Sequence, residues 1–130
     1  MKLLLDTHIF LWLQTEPERV GEHLATVEDP GTELLVSAVV AWEIAIMSGL
    51  GRLPLPEAPE RYVPERLRLI NGRAVPIEHE QALAVASLPP LHRDPFDRLL
   101  VAQAGSLAVP ILTADPEVAQ YPVGSILVSS

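Results

Sequence analysis

Cysteine is absent from the 130-residue chain, so neither a disulfide framework nor a thiolate metal site can be built from it. That usage suits a reducing compartment. Lysine is nearly absent as well: Lys2 stands alone beside eight arginines. A phosphorelay receiver domain needs a lysine after a late strand, so that class is excluded. Long apolar runs are missing too. The longest, LLVSAVVAW at residues 34–42, is about half of what a membrane span requires. In the opening MKLLLDTH, Asp6 interrupts the leucines too early for a signal peptide, and the expectation is a cytoplasmic protein with no membrane association. Positive charge is scarce: 9 basic residues face 17 acidic ones, for a net charge of −8. That balance argues against a nucleic-acid binder, because phosphate contacts ordinarily call for a basic face.

What the chain does have is apolar bulk. Hydrophobic residues make up 48%, enough for a core, and the length fits a single domain over residues 1–130 with no linker or repeat to divide it. LLLD (3–6) reads as a short buried strand leading into a helix, THIFLWLQ, with Thr7 near its cap. PERVGEHLATVED (17–29) reads as one amphipathic helix with Pro17 at its first position. A second strand, ELLVS (33–37), runs into an apolar helix through AVVAWEIAIMS, and LPLPEAP is a loop. Helix ERYVPERLRLIN (60–71), strand AVPI (74–77) and helix EHEQALAVASL (78–88) follow. A helix from about Asp94, strand VPILT (109–113) and strand SILVS (125–129) complete the order. Apolar strands alternating with helices predict a parallel sheet covered on both faces. Ligands of such sheets lie at the carboxyl ends of the strands.

Carboxylates gather at those ends. Asp6 follows the first strand and Asp115 the fourth, although an aspartate after a strand also serves simply as a helix cap. Glu43 lies in AVVAWEIAIM, where the other nine residues are apolar and offer it no polar face. A buried, unpaired carboxylate is costly, and it persists when it is paired with an arginine or bound to a cation. In HRDPFDRLLVAQA (92–104), Asp94 before Pro95 makes a cap and first-position pair, and Asp97 falls in the first turn. The helix dipole favours each acid by about 0.3–1 kcal/mol. It does not explain why a third and a fourth acid converge on the same edge. Five like charges at Asp6, Glu43, Asp94, Asp97 and Asp115 repel one another unless a cation sits among them, and oxygen donors without thiolate suit Mg²⁺ or Mn²⁺. Setting those five aside takes the net charge from −8 to −3, so the acidic total no longer counts against a phosphate substrate.

Four stretches in order, MKLLLDTHIFLW, AWEIAI, HRDPFDRLLVAQA and ILTAD, resemble the PIN-domain ribonucleases, in particular the VapC toxins of bacterial toxin–antitoxin pairs. The resemblance covers essentially the whole chain. It implies an α/β fold, a PIN-like three-layer sandwich with a central, mostly parallel β-sheet flanked by helices. It also implies a metal-dependent endoribonuclease whose catalytic and metal-binding acids are Asp6, Glu43, Asp97 and Asp115, with Mg²⁺ or Mn²⁺ activating the attacking water. Asp6 and Asp97 are the expected main ligands, Glu43 completes or orients the metal's water shell, and Asp115 binds a second ion or holds a water. Asp94, Thr113 and His8 are further candidates around the metal. A toxin of this kind implies a VapB-type antitoxin as partner, a homodimer, and contact with DNA only through the antitoxin. Relatives often carry a lysine after E-I-A-I, where this chain has Met47, so one phosphate contact is lost.

Arg93 and Arg98 flank the acids and either contact RNA phosphates or pair with carboxylates. Among the histidines, His8 is the one expected near the site, while His23, His79 and His92 read as structural or surface residues. Trp12 and Trp42 suit a dimer or antitoxin face, with core packing the expectation for Trp42. Two other classes compete with this reading. A haloacid-dehalogenase-type phosphatase needs a second aspartate where His8 stands. A catalytically silent PIN-like binding or scaffold module is the non-enzymatic alternative, and it predicts eroded acids, whereas this chain keeps them all.

Overall fold

Three consecutive leucines decide where the first strand sits. Strand β1 (Lys2–Leu5) carries Leu3, Leu4 and Leu5, all fully buried, and a strand with no polar face belongs at the middle of a sheet covered on both sides. The computed structural model, which describes residues 1–128, places it there. Strands β2 (Glu33–Ser37), β3 (Arg73–Val75), β4 (Ile111–Thr113) and β5 (Ser125–Leu127) complete one sheet in the order β3-β2-β1-β4-β5. Every pairing is parallel, so the expected mostly parallel sheet is wholly parallel among the described residues. The last predicted strand stops at Leu127, and its final residue, Ser129, lies outside the described residues.

Helices cover the sheet to give the three-layer α/β sandwich: α1 (Thr7–Thr15), α2 (Leu24–Glu28), α3 (Ala38–Gly49), α4 (Pro59–Leu69), α5 (His79–Ala84), α6 (Pro95–Leu107) and α7 (Pro116–Ala119). None is long and apolar enough to cross a membrane. The helix expected over 17–29 is broken. Gly21 adopts φ 67° and ψ −136°, which no helix accommodates, leaving a 3₁₀ segment (Pro17–His23) ahead of α2. Helix α5 likewise gives way to a 3₁₀ turn at Val85–Ser87, and α7 is an element the sequence reading did not contain.

Side-chain caps fix the junctions at the carboxyl edge of the sheet. Asp6, rather than Thr7, caps α1 by accepting the Ile9 N–H at 2.9 Å. Ser37 caps α3 through the Val39 N–H, and Asp115 caps α7 through the Glu117 N–H. The chain leaves β1 for β2 on one side, while β4 lies on the other. The crevice beyond β1 and β4 is therefore the point where strand order reverses, the usual ligand position in open α/β sheets.

Candidate metal centre

Asp6 enters this crevice from the end of β1. It is 4% exposed, and burial raises its pKa. Opposing that rise, Oδ2 accepts the Thr113 hydroxyl at 2.5 Å and Oδ1 accepts the Ile9 N–H. Thr113 comes from the last position of β4, and its own oxygen accepts the Asp115 N–H at 3.0 Å. A single hydroxyl therefore ties together the acids that end two neighbouring strands.

Glu43 reaches the same region from the second turn of α3. Thr7 Oγ1 donates to its Oε1 at 2.5 Å, so its partner is a hydroxyl and not an arginine. Helix α6 supplies the next two acids. Asp94 caps it by accepting the Phe96 N–H at 2.9 Å, and Asp97 follows in the first turn. The pKa of Asp97 is pushed up to about 7, first by burial and then by the negative charges of Asp94, Glu43 and Asp6, against a downward pull from His92. Among the described residues, none of Asp6, Glu43, Asp94 and Asp97 is paired with an arginine or lysine. Oxygen donors carrying uncompensated like charge, with no thiolate nearby, fit a hard divalent cation.

Asp115 stands slightly apart. Its pKa is lowered: burial works to raise it, and hydrogen bonds from His92 and from the Glu117 N–H outweigh that effect. His92, expected to be structural or at the surface, lies against two of the acids. Its Nε2 lies 2.9 Å from Asp115 Oδ2 and 3.1 Å from Asp97 Oδ2, bridging the two acids. Burial lowers its pKa, but Asp115, Asp97 and Glu117 together carry it above the ordinary imidazole value. The sequence held no signal for this contact beyond the nearness of His92 to Asp94. Its partner Asp115 is 23 positions away, and β4 is what brings the two together. Glu117, also overlooked, faces the same ring at 3.6 Å.

His8 is exposed on α1, close enough to Asp6 to lower its pKa. Arg93 is exposed beside the acids. Arg98 follows neither expected course. Its guanidinium donates to Val85 O, Pro89 O and Tyr121 Oη at 3.0–3.2 Å, because one step around α6 from Asp97 its side chain points towards the turn after α5. Trp42 is 56% exposed and so is not core: α3 buries Val39, Val40 and Ile44, and Trp42 projects from another side to pack edge-on against Phe96 at 4.8 Å. A hollow of about 360 Å³ bordered by Leu13, Leu24, Val27, Leu34 and Ile70 lies by the turns preceding β2 and β3, at the opposite edge from the acids.

The comparisons with known proteins agree with this architecture. A crystal structure of VapBC2 from Rickettsia felis, bound to a DNA fragment from its promoter, superimposes with a TM-score of 0.75 at 14% identity, covering 99% of this chain and 100% of that one. VapBC-1 from nontypeable Haemophilus influenzae gives 0.65 at 15% identity, with complete coverage of both chains. At these identities the likeness is one of fold. In sequence, 62 residues are 42% identical to Ribonuclease VapC16 of Mycobacterium tuberculosis (strain ATCC 25618 / H37Rv). That stretch is 48% of this chain and 44% of that protein, so the chain spans less than half the length of this curated relative. The PIN domain family itself matches residues 3–124, from the first strand to the turn before the last, and the chain belongs to that family.

Proposed function

We propose that the protein is a metal-dependent endoribonuclease, a single PIN domain over residues 1–130 that acts in the cytoplasm as the toxin of a VapBC-type toxin–antitoxin pair. One observation carries this reading: Asp97 sits among Asp6, Glu43 and Asp94 with its pKa pushed up to about 7, and among the described residues no arginine or lysine pairs with any of them. Bound Mg²⁺ or Mn²⁺ would supply Lewis acidity towards a phosphoryl oxygen and a coordinated water of lowered pKa. Asp6 and Asp97 would hold the ion. Glu43, steadied by Thr7, would orient the attacking water, and Thr113 keeps one Asp6 oxygen fixed while leaving its second lone pair free. Exposed Arg93 is the RNA-phosphate contact in this reading. Arg98, spent on backbone carbonyls, has no such role. Similarity to a ribonuclease and to VapBC assemblies supports an RNA substrate and a VapB-type antitoxin; a homodimer, and DNA met only through the antitoxin, complete the proposed reading.

The test is to incubate the antitoxin-free protein with single-stranded and structured RNA in Mg²⁺, in Mn²⁺ and in chelator. Cleavage in both metals, none in chelator and none by Asp97→Asn is the expected result. Cleavage that survives either the chelator or the substitution would trace to a contaminating nuclease and remove the assignment.

A further inference from the structure

Three hydrogen bonds fix His92 in the stretch between the 3₁₀ turn at 85–87 and α6. Its backbone N–H donates to Tyr121 Oη at 2.9 Å, and that hydroxyl also accepts from Arg98 Nη1. At the ring, Nδ1 faces the Asp94 N–H at 3.0 Å. A backbone amide only donates, so Nδ1 must offer a lone pair and the ring proton lies on Nε2. Nε2 points between the two acids, 2.9 Å from Asp115 and 3.1 Å from Asp97.

We propose that His92 is a positioning residue: an imidazole locked in the Nε2–H tautomer by the Asp94 amide, whose single ring proton is held at Asp115 while Nε2 stays 3.1 Å from Asp97, so that the ring sets the gap between the two acids. The inference rests on the acids being a cation site, and it specifies how many ions they hold before RNA arrives. With Nδ1 taken by the Asp94 amide and Nε2 carrying the proton held at Asp115, the ring has no lone pair left for an ion, so the proposal counts one ion, held by Asp6, Glu43 and Asp97. The rival arrangement makes His92, Asp115 and Glu117 ligands of a second ion, since one donor atom from each lies within 4.8 Å of the others. Ligation through Nε2 would move the ring proton to Nδ1, donor against donor with Asp94, and Glu117 at 3.6 Å is too distant to accept it well.

Two measurements on the RNA-free protein decide between these. A long-range ¹H–¹⁵N spectrum of the metal-free chain at pH 8, with His92 assigned by comparison with His92→Gln, should show one tautomer with the proton on Nε2. A proton on Nδ1, or a mixture of tautomers, overturns the proposal. Titration with Mn²⁺ followed by electron paramagnetic resonance should count one ion per chain with no directly bound imidazole nitrogen. A second ion, or ¹⁴N coupling that His92→Gln abolishes, overturns it equally. Variants supply a readout that a merely structural role would not move. A glutamine amide reaches as far as Nε2 and donates there, whereas asparagine reaches only as far as Nδ1. His92→Gln should hold Mn²⁺ within about threefold of the parent, and His92→Asn should lose on the order of tenfold or more. Equal affinity in the two variants overturns the clamp alone; no Mn²⁺ binding by the parent removes the clamp and the ribonuclease reading together.

Discussion

Asp97 carries the charge conflict of the site, and that conflict has a measurable sign. Its pKa rises from 3.8 in the unfolded reference to about 7 in the fold. Below pH 4 the residue is protonated in both states and contributes no penalty. Between about pH 4 and 7 the unfolded chain releases the proton and the folded chain keeps it, so stability is lost as pH rises, and above pH 7 the loss is complete. His92, also raised, adds a loss of the same sign at the upper end of that window. The melting temperature of the chelated protein should therefore fall from pH 4.5 to 8, and Mg²⁺ should restore it at pH 8. Asp97→Asn should flatten most of the slope; a slope as steep as the parent's would mean that the cluster is not what unsettles the metal-free fold. The acids could be found in the sequence because a carboxylate among apolar residues has few reasons to be there. His92 could not. Five positions from Asp97 and 23 from Asp115, it acquires its role from a tertiary approach that spacing does not encode.

Elements were legible where hydrophobic pattern and capping agreed. The Asp94–Pro95 pair located the start of α6 because a cap followed by a residue of fixed φ has one common structural use. The helix expected over 17–29 failed because its apolar periodicity says nothing of Gly21, whose positive φ turns the chain in the middle of the pattern. The stretch joining the 3₁₀ turn at 85–87 to α6 is held by side chains instead. Tyr121 is 2% exposed, and its hydroxyl accepts both the His92 N–H and the Arg98 guanidinium. Tyr121→Phe keeps the ring volume and leaves two donors short of an acceptor. Urea unfolding should show a destabilisation of about 1–3 kcal/mol with an unchanged slope. Mn²⁺ affinity should fall with it, since that stretch delivers His92 and Asp94 to the site. Undiminished stability would show that the Val85 and Pro89 carbonyls anchor Arg98 unaided.

At the scale of the whole molecule, strand order and charge belong to one argument. Reversal of the chain's direction of travel at β1 opens the crevice that Asp6, Thr113 and Asp115 line, and α3 and α6 deliver Glu43 and Asp97 into it. A net charge of −8 with the acids concentrated there leaves little diffuse attraction for RNA. Three arginines are spent elsewhere: Arg73 pairs with Glu33, Arg66 lies over Tyr62 and Arg98 is held by carbonyls, whereas Arg19, over Trp12, lines a hollow with His8 and Asp115. In the proposed reading, Arg93, exposed and adjacent to Asp94, and Arg19, beside Asp115, are the cations near the site that would meet a phosphate. On the proposed function, RNA binding by Asp97→Asn should therefore depend only weakly on salt, with a log–log slope near that of one or two phosphate contacts where a basic nuclease would show many. At about −0.7 per phosphate on single strands, Arg93→Ala should remove roughly one contact and make the slope shallower by about that amount. A steep slope that survives Arg93→Ala would place the RNA on a different, more basic face, such as one completed by a second copy of the chain.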